Sequence, residues 1–210
     1  MGMTSPARPR VDAITFDYWN TLVYEDRGQL RTRRIEAWLG ILEGEGFAVE
    51  RQRIEAAFEG SWQRFLQSWQ SGDRQYTHVD AAVDALDDLG YEVPSDVRDQ
   101  LVDAFARTGD RAELHLTEGL EGCLRTLKGA GLRIGIVCDV GMTPSPTLRA
   151  FLAEAGVLGL FDHWSFSDEV GVYKPSPRIF EHALDGLGGI APERAAHIGD
   201  LRRTDVAGAL

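Results

Sequence analysis

Positive charge is scarce in this sequence. Its 22 lysines and arginines stand against 33 aspartates and glutamates, for a formal net charge of -11. No basic stripe exists to displace counterions from nucleic-acid phosphates, so nucleic acid is excluded as a partner. An anionic substrate would need a local lysine or a metal ion to offset the general repulsion. Cysteine is nearly absent: Cys123 and Cys138 have no zinc spacing. One falls in an expected helix and the other at an expected strand end, so no disulfide framework is foreseen and a reducing compartment fits. No apolar run approaches the length of about 18 residues that a membrane span requires. The stretch Met1 to Arg10 carries two arginines before Val11 but no apolar segment of the signal-peptide kind comes after it. A cytoplasmic protein is the expectation; its oligomeric state is left open.

What is present suffices for a substantial core. At 210 residues and 43% hydrophobic composition, the chain suggests one large domain or two small ones. Val11 to Trp19 reads as a buried strand. From Asp26 to Arg111 the apolar residues follow a helical period in four stripes: Ile35, Trp38, Leu39 and Leu42; Ile54, Phe58, Trp62, Phe65, Leu66 and Trp69; Val79, Ala82, Val83, Leu86 and Leu89; Val97, Leu101 and Phe105. The aromatic stripe of the second helix reads as core, with a substrate-facing role for Trp69 as the minority alternative. After His115, helix and strand alternate: a helix over 120–130, a strand over 133–139, a helix opened by Ser145-Pro146 with the serine as N-cap, a weaker strand over 162–167, a helix opened by Ser176-Pro177, and a last strand over 195–199. Such alternation implies an α/β fold: a Rossmann-like parallel sheet with helices on both faces. Residues 1–25 and 112–210 would form it, with residues 26–111 inserted as a four-helix unit.

Charged groups fall where the apolar strands end, which in open α/β sheets is where the ligand crevice lies. Asp17 follows Ile14-Thr15-Phe16; Asn20 suits a tight, partly left-handed turn, and the Thr21 hydroxyl could tie it. A carboxylate so placed can attack phosphorus or an activated carbon and form a covalent intermediate. Asp200 and Asp205, at the end of the last strand and just past it, could join Asp17 in an oxygen-rich cluster suited to Mg²⁺. Three uncompensated carboxylates at one crevice would repel one another, which a divalent ion relieves. Lys174, in Tyr173-Lys174-Pro175, can ion-pair with the nucleophile and with phosphate oxygens. Cys138 sits where a weak thiol donor, with the amides of Asp139 and beyond, could meet phosphate. Taken singly, each residue reads as well as a turn cap or a solvated surface group; their order and spacing make the set.

The set resembles the haloacid dehalogenase-like hydrolase superfamily, most of whose members are Mg²⁺-dependent phosphatases. The resemblance covers nearly the whole chain in order: D-x-x-x-T at Asp17 and Thr21, the strand ending at Cys138, Lys174 before proline, and G-D-x-x-x-x-D from Gly199 through Asp200 to Asp205. It implies Asp17 as nucleophile and Mg²⁺ held by Asp17, Asp200 and the backbone carbonyl of Trp19. Lys174 and Asp205 would complete the catalytic set, with Asp205 supporting the metal through water or orienting Lys174. Thr21, Cys138, Asp139 and Lys174 would bind substrate, a small phosphorylated metabolite. The helical insertion looks like the family's cap, which closes over the site and selects substrates; Tyr24, Arg27 and Trp69 are its candidates to reach the ligand.

This sequence departs from the pattern at two positions. Phosphatases of the superfamily usually carry a second aspartate two positions after the nucleophile, a proton donor worth about 10²–10⁴ in rate; here that position is Trp19. Cys138 stands where serine or threonine is usual. An aromatic at position 19 is reminiscent of the metal-independent 2-haloacid dehalogenase branch, which lacks the Gly199-Asp200 metal ligand. A phosphatase is therefore the leading expectation, ahead of a carbon-centred hydrolase and of a catalytically weak phosphate-ligand binding protein. The sequence ends inside the helix expected after the last motif, where relatives generally continue, so either the protein is trimmed there or the chain is a fragment.

Overall fold

The computed structural model describes residues 11–26, 28–72, 74–107 and 114–210. Arg27 and the expected boundary at 111/112 lie outside the described residues. A four-stranded parallel sheet, in the order β5-β4-β1-β6, is formed by β1 (Ala13–Phe16), β4 (Arg133–Cys138), β5 (His163–Phe166) and β6 (Ala195–Ile198). The first strand is thus shorter than the expected 11–19. Its register sets Phe16 beside Ile136 on one flank and Ile198 on the other. The residues just beyond these strands, Asp17 included, therefore emerge along one edge.

Both faces of the sheet are covered, as alternation along β4 requires. Ile134, Ile136 and Cys138 pack in one apolar cluster with Leu124 of α5 (Leu120–Gly129) and with Leu148 and Leu152 of α6 (Ser145–Glu154). Val137 points the other way, against Ile179 and Ala183 of α8 (Pro177–Gly186) and Val170 of the short α7 (Ser167–Val170). Strand β1 passes close to β4 at Gly135, where an added Cβ would lie 3.3 Å from Thr15 Cγ2 and 3.2 Å from Leu187 Cδ1. Ser176 occupies the N-cap position of α8 as expected but makes no side-chain capping bond, and at α6 that position falls to Pro144, with Ser145 as the first helical residue. Ser145 is drawn into the helix because its amide donates to Asp168 Oδ2 (2.9 Å) and its hydroxyl to Glu169 Oε1 (2.9 Å).

Two short strands were not anticipated. β2 (Val23–Glu25) pairs antiparallel with β3 (Leu114–Leu116), Val23 opposite Leu116, at the point where the chain leaves for the helical insertion and returns. Between them lie α1 (Gln29–Gly44), α2 (Arg51–Ser71), α3 (His78–Leu89) and α4 (Ser95–Arg107), matching the four apolar stripes. A capping box fixes the start of α3: Thr77 Oγ1 accepts from Asp80 N, and Asp80 Oδ2 accepts from Thr77 N. Trp38 centres the insertion, with no exposed surface. Its ring meets Phe58 edge-on at 4.9 Å and Phe105 at 6.3 Å, and its Nε1 donates to Leu101 O at 2.9 Å. Trp62, expected on the buried stripe of α2, is instead 40% exposed. Among the described residues no helix is long and apolar enough to cross a membrane.

Truncating Trp38 would leave a cavity between three helices and remove the indole bond to the Leu101 carbonyl. Trp38→Ala is expected to cost about 3–5 kcal/mol, read as a lower midpoint in urea denaturation followed by far-ultraviolet circular dichroism.

Candidate active site

The turn after β1 aims Asp17 into a cleft. The Tyr18 carbonyl accepts from the amides of Thr21, Leu22 and Val23, and Asn20 takes a left-handed φ of 58°, as asparagine at that position suggested. The turn is tied by backbone, not by the Thr21 hydroxyl. Thr21 is absent from the cavity lining, and its carbonyl accepts from Thr117 Oγ1 at 2.7 Å.

Four of the expected residues do converge. Lys174 Nζ donates to Asp17 Oδ1 at 2.5 Å and to Asp205 Oδ1 at 2.6 Å, and all three side chains are nearly inaccessible. Asp200 is exposed on the cleft; one oxygen from each of Asp17, Asp200 and Asp205 lies within 4.8 Å of the others. The carboxylates are thus not wholly uncompensated, as the sequence alone implied, because Lys174 already neutralises part of the charge on two of them. Asp200 has no share in that ammonium.

Asp205 is held from three sides. Its Oδ1 also accepts from His197 Nε2 (3.2 Å), while Oδ2 accepts from Leu201 N (2.9 Å). A proton on Nε2 leaves Nδ1 of a neutral imidazole as acceptor, which the Thr15 hydroxyl fills at 2.9 Å. Burial opposes ionisation of Asp205, but the bonds from His197 and Lys174, the lysine charge and the Leu201 amide outweigh it and hold the carboxyl well below the usual range. Gly199 makes room for this side chain: a Cβ there would lie 2.2 Å from Asp205 Cγ. For Lys174, burial favours loss of the proton, yet the surrounding charges of Asp17, Asp139 and Asp205 hold it more tightly than usual. Burial dominates at Asp17 and lifts its carboxyl from 3.8 to about 6, against the pull of Lys174.

Asp139, one residue past β4, joins the insertion to this cluster. Its Oδ1 accepts from the Lys174 amide (2.9 Å), and its Oδ2 accepts from Trp69 Nε1 of α2 (2.8 Å). Burial raises its carboxyl, partly offset by Lys174 and the indole. The guanidinium of Arg203 lies 3.9 Å over the Trp69 ring, a cation–π contact. A second tie comes from Arg34 of α1, which is buried and donates to Phe105 O, Met142 O and Thr143 Oγ1. Cys138 does not reach the cleft. It is fully buried in the sheet core, absent from the cavity lining, and burial pushes its thiol well up.

Between the carboxylates and the insertion lies a cavity of about 640 Å³, lined on one side by Asp17, Trp19, Lys174 and Asp200 and on the other by α1 and α2. His197 and Arg34 were missed by sequence reasoning. A polar residue inside an apolar strand was the signal for His197; nothing set Arg34 apart from its neighbours Arg31 and Arg33.

A parallel sheet with a buried lysine-carboxylate cluster at its carboxyl edge and a helical unit inserted after its first strand describes an α/β hydrolase. The family model for haloacid dehalogenase-like hydrolases matches residues 11–210, and the chain belongs to that family. It is similar to an (S)-2-haloacid dehalogenase of Pseudomonas sp. strain YL, 30% identical over 179 residues, 85% of this chain and 70% of the relative. It is also similar to a phosphoserine phosphatase of Thermus thermophilus, 33% identical over 162 residues, 73% of this chain and 60% of the relative. Among solved structures, the putative hydrolase YfnB of Bacillus subtilis, bound to magnesium, superposes with a TM-score of 0.65 at 18% identity, covering 95% of this chain and 84% of that one.

The raised Asp17 carboxyl sets a pH dependence of folding. The unfolded chain releases this proton near pH 4 and the folded protein near pH 6, so the stabilisation from holding it is complete below about 4 and is lost as pH rises through about 6. Relative to Asp17→Asn, the wild type should therefore lose up to about 3 kcal/mol across that window, at roughly 1.4 kcal/mol per pH unit. Urea denaturation of both proteins in EDTA checks this; a difference independent of pH would contradict it.

Proposed function

We propose that the protein is a Mg²⁺-dependent phosphatase acting through an aspartyl-phosphate at Asp17, with helices α1–α4 as the cap over its site. One observation carries this reading: a buried carboxylate, paired with Lys174, whose oxygens lie within 4.8 Å of those of Asp200 and Asp205. With a carboxyl near 6, Asp17 is mostly ionised at neutral pH, as a nucleophile must be. Lys174 meets the phosphoryl oxygens as they approach Asp17, and Asp205, clamped by His197 and the Leu201 amide, positions the lysine.

The donor set fits the ion. Hard carboxylate oxygens are what Mg²⁺ takes, and Asp200, outside the Lys174 bridge and open to the cleft, leaves room for the waters the ion retains. Asp17, Asp200 and the Trp19 carbonyl would hold it, where it supplies positive charge to the transferring phosphoryl group. The magnesium bound by YfnB supports the same reading.

A second reading, hydrolysis at a carbon–halogen bond by the same nucleophile, is favoured by Trp19 in the cavity wall and by the similarity to the Pseudomonas dehalogenase. The two readings separate cleanly. Phosphate should be released from acetyl phosphate in Mg²⁺ but not in EDTA, and Asp17→Asn should lower that rate at least a thousandfold. Chloride release from 2-chloropropionate that persists in EDTA, with no phosphate release, would replace the phosphatase by the dehalogenase.

A further inference from the structure

The carboxylate cluster concerns the phosphoryl half of a substrate; the opposite wall of the cavity concerns the other half. That wall is built by Phe58, Trp62, Phe65, Leu66 and Trp69 of α2 with Phe105 of α4. Phe58, Phe65 and Phe105 are buried, but Trp62 is 40% exposed. Its ring lies 5.1 Å from that of Phe65 at a 30° tilt, and Phe65 lies 6.3 Å from Trp69, nearly parallel at 12°. Steps of three and four residues put these rings on one face of the helix. They form a ladder from Trp69, anchored on Asp139, to the open indole of Trp62.

Of the arginines near this wall, Arg31 pairs with Glu59 at 2.7 Å and donates to Glu55 O at 2.9 Å, Arg34 donates to the Phe105 and Met142 carbonyls and to Thr143, and Arg203 lies over the Trp69 ring. A flat apolar group finds open ring surface at Trp62.

A separate observation concerns the bond that breaks. Trp19 lines the cavity two residues from Asp17, and an indole has no proton to give a leaving oxygen. The Lys174 ammonium is bridged between Asp17 and Asp205, and both oxygens of Asp205 already accept hydrogen bonds, Oδ1 from Lys174 and His197 and Oδ2 from the Leu201 amide. The leaving group must therefore depart as a stable anion, which an oxygen on an aromatic ring can do by delocalising its charge and an alkoxide cannot.

We propose that the substrate is an aryl phosphate, its ring taken up against the open indole of Trp62. This rests on the phosphatase reading. An Asp17 oxygen forms the new bond to phosphorus while the phosphorus–aryl oxygen bond breaks, its electron pair leaving on a phenolate that takes a proton from solvent. Water then adds to phosphorus, the phosphorus–Asp17 bond breaks with its pair returning to the carboxylate, and the proton lost by the water passes to solvent as phosphate departs.

Three phosphoryl compounds separate the two halves of the proposal: 2-naphthyl phosphate (flat ring, stable leaving anion), acetyl phosphate (an acyl anhydride, stable leaving anion, no ring) and 2-phenylethyl phosphate (ring, poor leaving anion). In Mg²⁺, kcat/KM should be highest for 2-naphthyl phosphate, while 2-phenylethyl phosphate should show a kcat at least a hundredfold lower. Trp62→Ala should cut the naphthyl-to-acetyl ratio of kcat/KM about tenfold, mostly through KM, and Trp62→Phe should restore most of it. Equal kcat/KM for naphthyl and acetyl phosphates, a ratio that Trp62→Ala does not move, or comparable kcat for the naphthyl and phenylethyl esters would each overturn the proposal while leaving the phosphatase standing. Release of phosphate from none of the three would remove the phosphatase reading and this one with it.

Discussion

One ammonium group organises this molecule. Lys174 is buried and bridges Asp17, at the end of β1, to Asp205, beyond the end of β6, while its own amide binds Asp139 at the end of β4. Burying a charge is costly unless it is paired and hydrogen-bonded, and breaking such a pair leaves an uncompensated charge behind. Three strand ends are therefore held in register by a single side chain and its peptide. The sheet order puts β1 between β4 and β6, which brings the three acids within its reach.

Much of this was legible in the residues. The helices of the insertion follow apolar stripes of period 3.6, and those stripes needed only their own neighbours in sequence to be read. The site was legible as well, since Asp17, Lys174, Asp200 and Asp205 each come after a strand or in a proline-marked turn. What escaped notice depends on tertiary partners. β2 and β3 are three residues each and acquire strand character only by pairing across a gap of some ninety residues. Trp62 belongs to the apolar stripe of α2 by spacing, yet faces the cavity because the stripe is wider than the surface that α1 and α3 cover. Cys138 looked like a phosphate contact from its place at the end of β4, but alternation along the strand turns it into the core.

Composition and site now stand in a clear relation. A chain with net charge of -11 sets four acids, Asp17, Asp139, Asp200 and Asp205, around a single lysine at the carboxyl edge of its sheet. In the proposed mechanism a divalent ion would offset the charge that Lys174 leaves on them. In the proposed mechanism the carboxylate cluster supplies the nucleophile, while the aromatic wall and Trp19 concern what leaves. These lie on different elements, α2 and the turn after β1, and can vary independently.

Tyr173 precedes Lys174, and its ring is counted among the core of the helical insertion rather than that of the sheet. Its hydroxyl accepts from the Tyr76 amide at 2.8 Å, and its ring meets Phe65 edge-on. Neighbouring residues of one dipeptide are thus rooted in two separate interiors, one greasy and one ionic. A tilt of the helices that withdrew the phenol would drag on the peptide carrying the lysine, so the helical insertion and the ionic cluster share a mechanical joint. Genetic drift in the upper lobe is accordingly constrained wherever it touches that phenol, however far the altered residue lies from any reacting atom.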